Sequence, residues 1–377
     1  MKKYFCIGLL MSAVCMYASA TDISLQPTNS GLRQATANAI EDDVYHLTDV
    51  NQWDKLEFDK VFGFLGINST KGSDIAAGFH PSFSDGDLIS VNWSGNLWTD
   101  QSAPFAGTGV KDTEGKVVNG RYNHLGAMYG FQNMAIRLYS TSHKADSYTH
   151  TLGTLTEYEH NVYGAKFGMN FDGPLVYFNV YAQYANAKSD EDYKLSEPAF
   201  GAEVWYVFTE SELLTVKAGG NYDGEFTTED VGEEIKTTTN TLGAQLKLQW
   251  KPEERLTYGL HAVMPFSFCS YKNDVSGENR DWTYFYLLLR NGISIALSSE
   301  KILFNVGMEI TFPYIGSGDI SPKNGEYENA YYTGFSFYLT EKLRLDACTE
   351  ITTLVDNGVS ADDLWNQKFR LSLSGYY

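Results

Sequence analysis

Three histidines, His143, His150 and His160, fall in one stretch with Asp146 and Glu157, and imidazole and carboxylate are donor types that hold divalent metals. Their spacings of seven and ten residues match no metal-binding or catalytic pattern, so the stretch reads as a solvated loop. His46, His80, His124 and His261 are scattered. The chain contains no Gly-x-Ser-x-Gly elbow, no phosphate-binding loop and no His-Glu-x-x-His, the patterns that mark common hydrolytic and nucleotide chemistries. No catalytic residue, metal ligand or cofactor is therefore expected, and the chain reads as a non-enzyme.

What remains is charge placed at period two. From Ile302 to Phe312 the apolar residues Ile302, Phe304, Val306, Met308, Ile310 and Phe312 alternate with a set that includes Asn305, Gly307 and Glu309. Further on, Leu343, Leu345, Ala347 and Ile351 alternate with Arg344, Asp346, Cys348 and Glu350. Alternation of this kind belongs to a strand whose two faces meet different environments. The same sorting puts Arg137, Lys166, Glu203, Lys217, Lys247, His261, Arg290, Lys368 and Arg370 on the polar face, about eight cations against four carboxylates in all. The chemistry available to Arg137, Lys217, Arg290, Arg344, Asp346 and Glu350 is ionic recognition of a solute, such as the carboxylate of an amphiphile or a small anion. The alternative use is bracing, with Arg344 paired to Asp346 or Glu350. Tyr139, Tyr177, Tyr181, Trp205, Tyr284, Tyr286, Tyr332 and Tyr338 share that face, and aromatic surface beside a few charges suits an amphipathic ligand.

The elements that position these residues are strands throughout. Alternating segments separated by turns run from Phe58 to the end of the chain. Short connections near 132, 172, 211, 253, 299 and 341 interleave with long polar ones near 99–122, 143–160, 187–198, 223–238, 271–281, 314–329 and 354–365. The acidic groups Asp190-Glu191-Asp192, Glu229-Asp230 with Glu233-Glu234, and Asp362-Asp363 fall in the long ones. Short turns at one rim and long loops at the other are the pattern of an up-and-down antiparallel transmembrane β-barrel. The segments number about 14, or about 16 with the two less regular ones before Leu88. Tyrosine, at 26 residues, and aromatics at 15% fit interfacial girdles better than a soluble core. Beyond the N-terminal leader no apolar run approaches the roughly 18 residues of a spanning helix. The polar face is then a lumen, because a Lys or Arg facing lipid at mid-bilayer costs about 2–4 kcal/mol.

The ends of the chain supply an address. Lys2 and Lys3, the apolar run Tyr4 to Val14 and Ala18-Ser19-Ala20 have the layout of a secretory signal peptide over 1–20. The last strand, Lys368 to Tyr377, alternates Phe369, Leu371, Leu373 and Tyr377 with charged and hydroxyl residues. It resembles the closing strand of bacterial outer-membrane barrels, departing from it at Gly375, and the resemblance implies recognition by the barrel-assembly machinery. Between the leader and the barrel, residues 21–56 do not alternate. There an Ala-rich stretch with Ala35, Ala37 and Ala39, the paired acids Asp42 and Asp43, and Tyr45 resemble the N-terminal hatch of the FadL-like transporters of long-chain fatty acids and other hydrophobic compounds. Where that family continues Asn-Pro-Ala, this chain has Thr48-Asp49-Val50. The resemblance implies a lumen plug over 21–56 that includes Asp42, Asp43 and Tyr45. It also implies a lateral gap in the wall where Pro265 removes a ladder hydrogen bond; on the residues alone that site reads as a bulge.

The chain carries 47 acids against 28 bases, a net charge of −19, which argues against nucleic acid as a partner. Cys269 and Cys348 are expected as free thiols. The organisation expected is a signal peptide over 1–20, a periplasmic or plug segment over 21–56 and a barrel over 57–377 in the bacterial outer membrane. Its expected partners are membrane lipid and small solutes, hydrophobic or anionic and amphipathic, such as fatty acids. A filled barrel serving as an adhesin or structural anchor is the alternative.

Overall fold

A computed structural model of the chain describes residues 36, 37 and 39 and, with breaks at most of the connections, residues 60–376. Backbone N–H and C=O groups have no water to bond in hydrocarbon, so every strand needs a partner on both sides. The pairings meet that demand. Fourteen long strands follow one another: β3 (Asp87–Thr99), β4 (Arg121–Phe131), β5 (Met134–His150), β6 (Gly153–Phe171), β7 (Val176–Lys188), β8 (Lys194–Glu210), β9 (Leu214–Asp230), β10 (Glu234–Glu253), β11 (Leu256–Asn273), β12 (Glu278–Ala296), β13 (Ile302–Pro313), β14 (Tyr327–Thr340), β15 (Leu343–Asp356) and β16 (Val359–Tyr376). Two nine-residue strands precede them, β1 (Lys60–Asn68) and β2 (Gly72–His80). Each of the sixteen pairs antiparallel with the next. β1 also pairs with β16, from Phe62↔Tyr376 to Asn68↔Arg370, so the pairing returns to its start.

The period-two sorting of faces is borne out. In β5, Ile136 and Leu138 are exposed at 43% and 60%, while Arg137 between them is fully buried. In β13, Asn305 is buried between half-buried Phe304 and exposed Val306. Apolar side chains outside and polar ones inside reverse the arrangement of a soluble core, and only lipid makes that burial favourable. Among the described residues no helix is long and apolar enough to cross a membrane.

Several stretches expected as loops are strand. Ladder pairing runs through Lys144↔Glu159, through Thr228↔Lys236 and through Lys272↔Asn279. The reason is physical: beyond the apolar belt both faces of a hairpin meet water or the lumen, so the sequence loses its alternation while the backbone ladder continues. Glu229, Asp230 and Glu234 therefore stand on strand ends; residues 190–192 and 233 lie outside the described residues. The bulge expected at Pro265 is absent. Pairing between β11 and β12 stops after Val263↔Leu288 and resumes at Phe266↔Phe285 in the same register, a gap in the ladder without a shift. Pro265 remains paired on its other side, to Gly243.

Glycine lets large lumen side chains lie flat on the wall. A Cβ on Gly164 would come within 2.1 Å of Tyr139 Cζ, one on Gly201 within 2.2 Å of Tyr181 Cε1, and one on Gly219 within 2.6 Å of Trp205 Cδ2. In each case the aromatic covers a neighbouring strand. Gly164→Ala should therefore lower stability by about 1–3 kcal/mol, the usual cost of overpacking. Urea unfolding in micelles would measure it, and the loss should shrink in a Gly164→Ala/Tyr139→Ala double variant relative to the sum of the two single changes.

Candidate functional site

The lumen wall is built in cross-strand rows, because residues paired in register across successive strands share a face and a height. One row begins at Val207 on β8 and passes through Lys217, Lys247, His261 and Arg290 to Glu309 on β13, each residue the direct partner of the next. Lys217 and His261 are buried, and Arg290 Nε donates to Glu309 Oε2 at 2.6 Å.

Cations near the tight-turn end of the lumen lie beside aromatic rings. Arg137 sits 5.2 Å from the Tyr139 centroid, Lys217 6.0 Å from Tyr177, Lys247 5.0 Å from Trp205 and Arg344 5.8 Å from Tyr338. At such distances the ring quadrupole attracts the cation. Arg344 also donates from Nε to Asp346 Oδ2 at 3.2 Å, with both side chains buried. That is the bracing arrangement the sequence left open. Glu350 continues the same face, half-buried and opposite Tyr332 and Lys368 in register.

Farther from the turns runs a belt of hydrogen bonds from β7 to β11. Asn179 Nδ2 donates to Glu203 Oε2 at 3.0 Å, Gln245 Nε2 donates to Glu203 Oε1 at 3.3 Å and to Asn221 Oδ1 at 3.2 Å, and His261 Nε2 donates to Gln245 Oε1 at 3.0 Å. Asp223 accepts from Tyr181 Oη at 3.0 Å and from Asn221. Beyond this belt Glu225 and Glu197 continue the lumen face, in step with buried Asp223 and Ala199. The expectation of a predominantly cationic interior is thus corrected. Asp223, Glu225 and Glu197 lie in segments read as loops, and the extension of β8 and β9 carries them into the lumen. Cations cluster toward the turn end, with Glu309 and Asp346 paired among them, while Glu197, Asp223 and Glu225 lie toward the long-connection end. Among the described residues Glu197 and Glu225 make no ion pair, whereas outside the barrel belt Asp274 is flanked by Lys272 and Lys236, whose hydrogen bonds, Lys272's first, hold its carboxyl below the usual range.

The histidines are not in a solvated loop. His143 and His160 are direct partners on β5 and β6, both buried, with ring centroids 5.7 Å apart. His124 joins them, 2.8 Å from Thr141 Oγ1 and 3.1 Å from Arg137 Nη2. Asp146 and Glu157 are exposed. Among the described residues no three His, Cys, Asp or Glu side chains are placed to hold a metal. Cys269 and Cys348 are buried thiols that form no disulfide.

A piece of the N-terminal segment lies on this wall. Gly259, Gly292 and Gly307 are direct partners on β11, β12 and β13, all buried and one step along the face from His261, Arg290 and Glu309. A Cβ on Gly292 would lie 2.5 Å from the Thr36 carbonyl oxygen and 2.6 Å from Thr36 Cβ. Thr36, Ala37 and Ala39 are buried, Ala39 N–H donates to the Thr36 carbonyl at 2.9 Å, and Ala37 takes a φ of 53° to close the turn. Asp42, Asp43 and Tyr45 lie outside the described residues.

No family model matches the chain, and no curated protein matches it in sequence. Solved structures with a similar fold include CdiB from Acinetobacter baumannii (TM-score 0.48, 11% identity, 84% of this chain and 60% of that one). The ferric citrate transporter FecA in its unliganded form gives 0.46 and 10%, over 83% of this chain and 55% of its own, and the Ralstonia pickettii toluene transporter TbuX gives 0.41 and 8%, over 92% and 97%. The chain thus spans little more than half the length of the first two. These likenesses are distant, and the barrel assignment rests on the pairings and facing described above.

The Arg290–Glu309 pair makes a direct prediction. Both side chains are only about a quarter exposed (28% and 27%), so Glu309→Gln strands a partly desolvated guanidinium and should cost about 1–2 kcal/mol, less than for a fully buried pair. An Arg290→Gln/Glu309→Gln double variant should recover part of that loss in the same urea titration.

Proposed function

We propose that the protein is a bacterial outer-membrane channel or transporter for small molecules, delivered across the inner membrane by the signal peptide over 1–20, and that residues 21–56 act as a plug in its lumen. The observation that carries this reading is the Thr36–Ala39 turn seated on Gly292, with direct partners Gly259 and Gly307 beside it. Three adjacent glycines on a lumen face remove side chains where a wall would otherwise be filled, and what covers Gly292 belongs to the segment before the first strand. A lumen lined with hydrogen-bonding and charged groups of both signs supports passage of polar or amphipathic solutes. The exposed apolar belt that includes Leu138, Phe208 and Leu242 suits lipid as the surrounding partner. The exposed Phe369 and Leu371 of the closing strand are the side chains offered to the assembly machinery.

Planar-bilayer conductance tests the reading. Removal of residues 21–56 is expected to raise single-channel conductance, and Gly292→Val, whose side chain collides with Thr36, is expected to raise it in the full-length chain. Silence in all three proteins would sink the channel reading and favour a filled barrel serving as a surface anchor.

A further inference from the structure

We propose that a hollow on the lipid-facing side of β10, β11 and β12 binds the sugar head of a glycolipid in the outer leaflet. The proposal rests on placement of the barrel in a bacterial outer membrane and stands whether or not the lumen conducts. Two cross-strand rows line the hollow. Asn240, Phe268 and Thr283 are direct partners in one, and Thr238, Ser270 and Asp281 in the next. Together the six border a depression of about 340 Å³. They alternate with buried Thr239, Thr241, Ser267 and Cys269, and Phe268 is 45% exposed, so they face away from the lumen.

The hollow is a notch in the apolar belt. One row nearer the tight turns, Leu242, Phe266 and Phe285 are direct partners, the first two exposed. One strand over, on β9, the belt runs higher: Tyr222 stands opposite Leu242 and Phe226 opposite Thr238. Phe200 of β8 packs on both rings, with centroids 5.9 and 5.7 Å away. At those heights β10 to β12 carry an amide, hydroxyls and a carboxylate instead. Polar groups turned toward lipid need hydrogen-bond partners, and the protein supplies some of them. Asn240 Oδ1 accepts from Tyr222 Oη at 2.8 Å, while among the described residues exposed Asp281 makes no ion pair.

The chemistry selects the head group. A carboxylate, an amide and hydroxyls beside a ring match the hydroxyls and the apolar face of a pyranose. A phosphate fits poorly. The cations of the following row, direct partners Lys236 and Lys272, are held by Asp274 at 3.4 and 2.5 Å, and Lys236 also by Glu234. With Asp281 the patch therefore has two cations against three carboxylates. The acyl chains of the same molecule then lie on Leu242, Phe266 and Phe285, continuous with the belt that lipid covers. Tight turns face the periplasm and the hollow lies toward the opposite end, which puts it in the outer leaflet.

Native mass spectrometry of the refolded full-length protein in a sugar-free detergent tests the site without requiring a pore. The probes are glucosyl diacylglycerol, diacylglycerol, phosphatidylglycerol and glucose. Glucosyl diacylglycerol is expected to bind at least about tenfold more tightly than each of the others, as charge-assisted hydrogen bonds to its head imply. Asp281→Ala/Asn240→Ala, and separately Ser270→Phe, which fills the hollow, should each lower its binding to the level of diacylglycerol. Heat-modifiable gel migration establishes that the variants fold. Equal binding of diacylglycerol, or undiminished glycolipid binding by either folded variant, overturns the site. Phosphatidylglycerol bound as tightly as the glycolipid overturns the assignment to a sugar head, and glucose bound as tightly overturns the assignment to a lipid. The channel reading is decided separately, by conductance.

Discussion

The rest of the structure depends on one constraint: inside a bilayer each backbone N–H and C=O must find its partner in the protein. Antiparallel ladders that return to their first strand meet it, and they impose period two on every strand they contain. The facing of Arg137 between Ile136 and Leu138, or of Asp346 between Leu345 and Ala347, follows from the ladder. So do the rows: once hydrogen bonds fix the register, Lys217, Lys247, His261 and Arg290 must stand side by side.

Glycine does the complementary work. Period two gives each lumen residue a place, but a bore of this kind has to accommodate Tyr139, Tyr181 and Trp205 without blocking itself. Those side chains lie sideways over Gly164, Gly201 and Gly219, which turns a potential obstruction into wall. Gly292 is used differently, as a contact surface for Thr36 with Gly259 and Gly307 beside it. A missing side chain therefore has two meanings on one face, and only the partner on top distinguishes them.

The sequence made the faces legible wherever one side met lipid. Leu343 to Ile351 sorts correctly because its apolar half is broken only at Thr349, and Arg344, Asp346 and Cys348 are buried as the alternation implies. The sorting stopped at the edge of the apolar belt. Glu197, Asp223 and Glu225 sit near the rim, where the outer face holds Phe200, Tyr222 and Phe226 but is interrupted by Ser196, Pro198 and Gly224, so the broken alternation does not distinguish a ladder from a loop and leaves the lumen's carboxylates undercounted. Register was legible only across tight turns. The connection after Trp250 is short enough to imply Lys247 opposite His261, whereas Lys217 opposite Lys247 depends on the ladder continuing through 223–238, where the sequence carries no regular alternation. The seat of Thr36 left no signal, since contact between a turn and a strand some 250 residues later depends on three-dimensional closure.

The pairing of Phe62 with Tyr376 has a consequence for how the chain is made. Those partners are separated by almost the whole length of the barrel, so contact order at the seam is as high as this chain allows, and such contacts form late. Until β16 arrives, β1 presents an open row of backbone donors and acceptors, the kind of edge that templates aggregation. A growing barrel of this type therefore has a vulnerable interval that ends only when its last residues are in place. Timing of delivery thus acts on the seam alone, while the neighbouring hairpins, each closed locally, are indifferent to it.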